Sequence, residues 1–139
     1  MSYKRRSNKP VNYEELVTGY EFTPVSYELG TTLVSKYVEA VDSQADKFVP
    51  PLAIAACAMT SLTGSLSLPA GVIHASQEFQ FFKLVPIGAT VSCQSRVARK
   101  ITRSSMDMLV LELDVFNEDN EKVQSGKATI VLPAEGTNA

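Results

Sequence analysis

The segment from Leu52 to Leu62 (Leu-Ala-Ile-Ala-Ala-Cys-Ala-Met-Thr-Ser-Leu) constrains this chain more than any other. It is almost wholly apolar or small. Phe48-Val49-Pro50-Pro51 precedes it, and prolines suit the first turn of a helix, where their missing N–H is not needed. A helix that is apolar on every side is a buried helix rather than a surface one. Its alanines let another backbone pass close by, and Gly64 is a natural stop. The rest of the chain must therefore wrap a helix at about 50–63.

Beyond that helix the chain is β territory. Strands are expected near Gly71–Lys83, Ala89–Thr102, Met106–Asn117 and Lys122–Leu132. Pro86-Ile87-Gly88, Arg103-Ser104-Ser105 and Asn117-Glu118-Asp119-Asn120 supply the turns between them. Such short connections make successive strands antiparallel neighbours. Upstream, Phe22 to Leu29 suits a short strand closed by Gly30. Thr31 or Thr32 can then cap a helix whose apolar positions Leu33, Val34, Tyr37, Val38 and Val41 recur at helical spacing and end near Asp42. The architecture implied is α+β: a curved antiparallel sheet of about five strands around one long buried central helix.

With 139 residues, 45% of them hydrophobic and 20% charged, the chain suits one domain with a real core. No repeat or linker divides it. The domain is expected over 12–133, with a basic tail at 1–11 and a second tail at 134–139. A formal charge of -2 gives no drive toward nucleic acid or an anionic membrane. Lys4, Arg5, Arg6 and Lys9 are the local exception, as a solvated tail or as an arm that meets the phosphates of a nucleotide-bearing ligand. No apolar stretch is long enough to span a bilayer, and none comes after the basic N-terminus as in a secretory signal. Cys57 and Cys93 stand in apolar surroundings with no Cys-x-x-Cys partner, as buried free thiols in a reducing, cytoplasmic setting. No metal site and no cofactor are expected. His74 is the chain's one histidine, so any histidine chemistry must recruit it.

Gln77-Glu-Phe79-Gln-Phe81, with Pro86-Ile-Gly88-Ala-Thr90 after it, resembles the strand and turn after the central helix in MaoC-like dehydratases and hydratases. The closing Gly126-Lys-Ala-Thr-Ile-Val-Leu-Pro133 resembles that family's last strand. The resemblance covers roughly 12–133 and implies a hot-dog fold, the helix being the sausage and the sheet the bun. It also implies addition or removal of water across the α,β bond of an acyl thioester, carried by coenzyme A or by an acyl carrier protein. In that family an Asp and a His on the loop before the helix handle water and proton, and helix N–H groups take the thioester oxygen.

On this chain the Asp falls on Asp42, and Lys47 stands where the His belongs. Pro50-Pro51 replaces the family's His-Gly, so the oxyanion would meet the N–H of Leu52 or Ala53. The candidate catalytic residues are therefore Asp42 and His74. Lys47, Pro51, Leu52, Ala53 and Gln77 are the candidate substrate-binding residues. A lysine with an ordinary pKa of about 10 is a poor base at neutral pH. Strand alternation places His74, Ser76, Glu78 and Gln80 on one face and Ile73, Ala75, Gln77, Phe79 and Phe81 on the other. Three functions stay open. The first is an (R)-specific enoyl-thioester hydratase or dehydratase with a degenerate site. The second is a non-catalytic acyl-thioester-binding subunit paired with a complete one. The third is a thioesterase, which the absence of Asp and Glu from Leu52–Leu62 disfavours. Either a homodimer or a heterodimer is expected, since a second copy would complete the sheet edge.

Overall fold

Apolar and polar side chains alternate through much of 90–132, which gives each strand one dry face. In the computed structural model, which describes residues 3–4, 10–35, 47–103 and 106–133, these strands form as expected. They are β5 (Ile73–Phe81), β6 (Thr90–Thr102), β7 (Met106–Phe116) and β8 (Lys122–Pro133). Ahead of them come β1 (Tyr3–Lys4), β2 (Val11–Asn12), β3 (Val25–Glu28) and, directly after the central helix, β4 (Leu66–Ser67). One sheet runs in the order β1-β3-β6-β7-β8-β5, antiparallel throughout. The expected five strands are present, and the two-residue β1 adds a sixth beside β3. β2 and β4 form a separate parallel pair, Val11 beside Leu66.

The central helix spans Pro51–Ser65 and packs on β6, β7 and β4. Its Ile54, Cys57, Ala58 and Leu62 share one cluster with Val91, Cys93 and Val97 of β6 and Leu109, Leu111 and Leu113 of β7. Hydroxyls survive in this apolar helix because they bond back to its own carbonyls. Buried Ser61 donates to the Ala58 oxygen at 2.9 Å, Thr60 to the Ala56 oxygen at 2.9 Å, and Ser65 to the Ser61 oxygen at 2.8 Å.

The helix is not covered on every side, however. Leu52 is 65% exposed, Thr60 and Thr63 are exposed, and Ala56 and Met59 are half-buried. These positions form one stripe at helical spacing, which composition could not single out because small residues occupy the buried and the open faces alike. Nor does Gly64 stop the helix. It continues through Ser65, and the chain leaves through extended backbone at Leu66, which the pairing with Val11 holds in place. At the earlier helical stretch over 31–35, Gly30 holds the cap position expected of Thr31 or Thr32, its carbonyl accepting the Val34 N–H at 3.0 Å. Residues 36–42 of the expected helix, Asp42 among them, lie outside the described residues.

Turn chemistry obeys the sequence closely. Gly88 adopts φ +98° as the third residue of the turn that the Ala89 N–H closes onto the Pro86 oxygen at 3.2 Å. The Asn117 side-chain oxygen accepts the N–H groups of Asp119 and Glu121 at 3.0 and 2.9 Å, and Asn120 takes φ 62°.

Two features of this packing are open to measurement. A Cβ on Gly126 would stand 2.7 Å from a Phe79 ring carbon and 3.2 Å from the Glu78 carbonyl oxygen, because Phe79 lies directly across the strand pair. Gly126→Val should therefore lower the unfolding free energy by about 1–3 kcal/mol in a urea titration, as overpacking does. Burial pushes the Cys57 thiol up to about 11 and the Cys93 thiol up to about 12, the latter raised further by its neighbour Cys57. At pH 7 both should stay unlabelled by an aromatic disulfide reagent in the folded chain and react fully in denaturant. Rapid labelling of the folded chain would contradict this packing.

Candidate functional site at the first turn of the central helix

The start of the central helix is held by the strand that ends the chain. Gln124 of β8 is 1% exposed, and its side-chain N–H donates to the Pro51 carbonyl at 2.8 Å. Directly across the strand pair from Gln124 stands Phe81, the last residue of β5. The segment leading into the helix is also pinned. Phe48 bridges Pro86, the Val49 N–H donates to the Val85 oxygen at 2.8 Å, and the Lys47 carbonyl accepts the Ile87 N–H at 3.0 Å. Lys47, Pro51, Leu52 and Ala53 are thus brought to one corner of the molecule, beside Gln124 and Phe81. Lys47, Pro51 and Leu52 are exposed there and Ala53 is buried.

Of the two N–H groups expected to meet an oxyanion, that of Ala53 is engaged, donating to the Pro50 oxygen at 2.9 Å. Neither proline carries an N–H. The first-turn donor left by this arrangement belongs to Leu52, since first-turn N–H groups have no intrahelical acceptor.

His74 and Gln77 meet each other, against the expectation that they face opposite sides of β5. A bulge between His74 and Ser76 shifts the register, so that His74 faces Ile130 and Gln77 faces Ala128, both on the sheet's inner side. His74 Nε2 lies 3.1 Å from the Gln77 side-chain oxygen. The Gln77 amide N–H group donates to the Glu78 and Lys127 carbonyls at 3.3 and 3.2 Å, which fixes its oxygen as the acceptor for histidine. This pair is far from the helix start. His74 is opposite Ile130 and Phe81 is opposite Gln124, so His74 and the Gln124–Pro51 contact are separated by roughly 20 Å of strand.

A concavity of about 270 Å³ lies away from that corner, on the sheet's outer face. Arg96, Glu112, Lys127 and Glu78 form a row of alternating charge across β6, β7, β8 and β5. Arg96 is 2.9 Å from both Glu112 and Asp114, and Lys122 reaches Asp114 at 3.5 Å. The hydrogen bond to Asp114 is the largest influence on Arg96 and raises its already high pKa. Charges so evenly matched leave no net field for an ionic substrate.

Gln124 is the residue that sequence reasoning missed. Its signal was present: Gln124, Gly126, Ala128, Ile130 and Leu132 alternate, and the last three are apolar, so a glutamine falls on the core face. Among the described residues no group of three or more His, Cys, Asp or Glu could hold a metal ion. No helix there is long and apolar enough to cross a membrane.

Comparison with known proteins agrees with this fold. The profile of the FAS1-like dehydratase domain region matches residues 16–125. Comparison with curated protein sequences returned no match. Among solved structures, the MaoC-like dehydratase from Rhodospirillum rubrum superposes with a TM-score of 0.74 at 20% identity, over 88% of this chain and 97% of that one. The R-hydratase PhaJ1 from Pseudomonas aeruginosa gives 0.74 at 17% identity, over 88% and 86%. The HadBC (3R-hydroxyacyl-ACP dehydratase) complex from Mycobacterium tuberculosis gives 0.67 at 18%, over 83% and 96%. At these identities the solved structures establish the hot-dog fold. Together with the profile match over most of its length, they place the chain in the FAS1-like dehydratase family of MaoC-like hot-dog proteins.

Proposed function

We propose that this chain is an acyl-thioester-binding subunit of the hydratase/dehydratase class that lacks the histidine of the catalytic pair and works beside a complete hot-dog chain. The observation that carries this reading is the placement of His74, roughly 20 Å along the sheet from the first turn of the central helix. Hydration of an enoyl thioester needs one group to move a proton and another to orient water, both within hydrogen-bond reach of the reacting carbons. Lys47 precedes the helix where the resemblance calls for histidine. Asp42, the aspartate of the resemblance, is then a single carboxylate without its partner.

Pairing is supported by what the single chain leaves open. β5 is the edge of the sheet, and its residues are exposed or half-buried throughout. No strand pairs with its outer edge among the described residues, and such an edge invites a second chain. The helix packs on β6 and β7, and the inner side of β5 is covered only in part, where Phe79 packs against the core. Phe81 there is 47% exposed, and Phe48, Leu52, Phe82 and Leu84 are exposed nearby along the chain or at the helix start. The heteromeric HadBC dehydratase is a related precedent for two such chains in one complex. The ligand proposed is an acyl chain on coenzyme A or an acyl carrier protein, with its thioester at Leu52.

Hydration of crotonyl-CoA and of a longer enoyl-CoA tests this, with the purified chain alone and then with a MaoC-like chain carrying both Asp and His. No turnover alone and turnover on mixing is the expected result. Turnover by the chain alone that disappears in Asp42→Asn would show instead that its own site is sufficient.

A further inference from the structure

Beside the first turn of the central helix, β8 brings an acceptor with no donor. Gln124 gives its N–H to the Pro51 carbonyl, and because a carbonyl only accepts, the amide orientation is fixed. Its side-chain oxygen is then buried and without a hydrogen-bond partner, in a residue 1% exposed. Buried polar atoms in folded proteins are nearly always matched, so an orphan at a functional site calls for a ligand or a water. Its cross-strand neighbour Phe81, on the same face of the sheet, is half exposed.

The first turn thus has one donor and one acceptor, on the two sides of the Pro51–Leu52 peptide. The Leu52 N–H offers a donor, while the Ala53 N–H is taken by Pro50. The Gln124 oxygen offers an acceptor. A 3-hydroxyacyl thioester carries a carbonyl oxygen, which only accepts, and, two carbons away, a hydroxyl that donates. Enoyl and saturated thioesters keep the carbonyl but have no such donor. Resting on the acyl-thioester reading above, we infer that Gln124 is a specificity-determining residue whose side-chain oxygen accepts the 3-hydroxyl of a bound 3-hydroxyacyl thioester. The chain therefore prefers the hydrated form of the ligand.

Calorimetric titration of the full chain with (R)-3-hydroxybutyryl-CoA, 3-methoxybutyryl-CoA and butyryl-CoA tests this. The hydroxy ligand should bind about fivefold more tightly than the other two, the worth of one net hydrogen bond. In Gln124→Met, which keeps the length but loses the acceptor, the three affinities should converge on the butyryl-CoA value of the unaltered chain. Equal affinities in the unaltered chain would overturn the assignment while leaving the thioester reading intact. So would a Gln124→Met effect that weakens all three alike, which would point to a donor common to every thioester. Binding of none of the three would remove both. If Gln124→Met does not fold, the hydroxy-against-methoxy comparison on the unaltered chain decides, since only the hydroxyl can donate.

Discussion

Close approach between the central helix and the inner face of β6 and β7 is the contact on which the rest of the molecule depends. Ala53, Ala55 and Ala58 are buried and lose almost no side-chain entropy on packing. They let the sheet curve against the helix backbone, while Ile54 and Leu62 fill the larger gaps beside leucines and valines of the sheet. Because the helix is short-sided, polar atoms must be satisfied within it, and its serine and threonine hydroxyls turn back onto its own carbonyls. Gln124 extends the same logic across the interface, tying the last strand to the first helical turn.

Packing the helix over β6 and β7 decides what remains uncovered. β8 still contributes Ala128 and Leu132 to the core, but β5 overhangs it. The side chains of β5 that face inward, His74, Gln77, Phe79 and Phe81, are therefore exposed or half-buried, although a strand in the middle of a sheet would hide them. The outer face behaves differently. There the alternating row Arg96, Glu112, Lys127 and Glu78 makes favourable cross-strand pairs, and Asp114 is shared between Arg96 and Lys122. Exposed pairs of this kind stabilise little individually, and they keep that face well solvated.

Much of this was legible in the residues. The four long strands, their turns and the helix after Pro50-Pro51 arise from period-two patterning, Gly/Asn turn chemistry and an unbroken apolar run, all local signals. What escaped was set by tertiary contacts. The bulge at Ala75, which turns His74 and Gln77 onto one face, leaves no mark on the pattern, because His74, Ser76 and Gln77 are all polar. The helix passes Gly64 because Leu66 is drawn into a pair with Val11, a partner distant in sequence. The open stripe at Leu52, Ala56, Met59 and Thr63 was invisible for a related reason: an alanine-rich helix looks the same on its covered and uncovered sides. The candidate site was half legible. The positions of Lys47, Pro51, Leu52 and Ala53 around one corner came from chain order, but Gln124 came from the far end of the sequence.

The separation between His74 and the helix start bears on how such a domain divides its work. In a complete site, the proton-moving groups precede the helix and the oxyanion donors begin it, so one short segment supplies both. Here that segment keeps a donor at Leu52 and adds an acceptor at Gln124, but its basic position is a lysine and its two prolines remove N–H groups. On the proposed reading this set of groups orients a thioester and recognises a hydroxyl, with no histidine beside it to move a proton. Binding and proton transfer are separable demands. On the proposed reading, a hot-dog chain that retains the first and loses the second takes its chemistry from a neighbour, and the half-exposed inner side of β5 is where that neighbour's side chains enter.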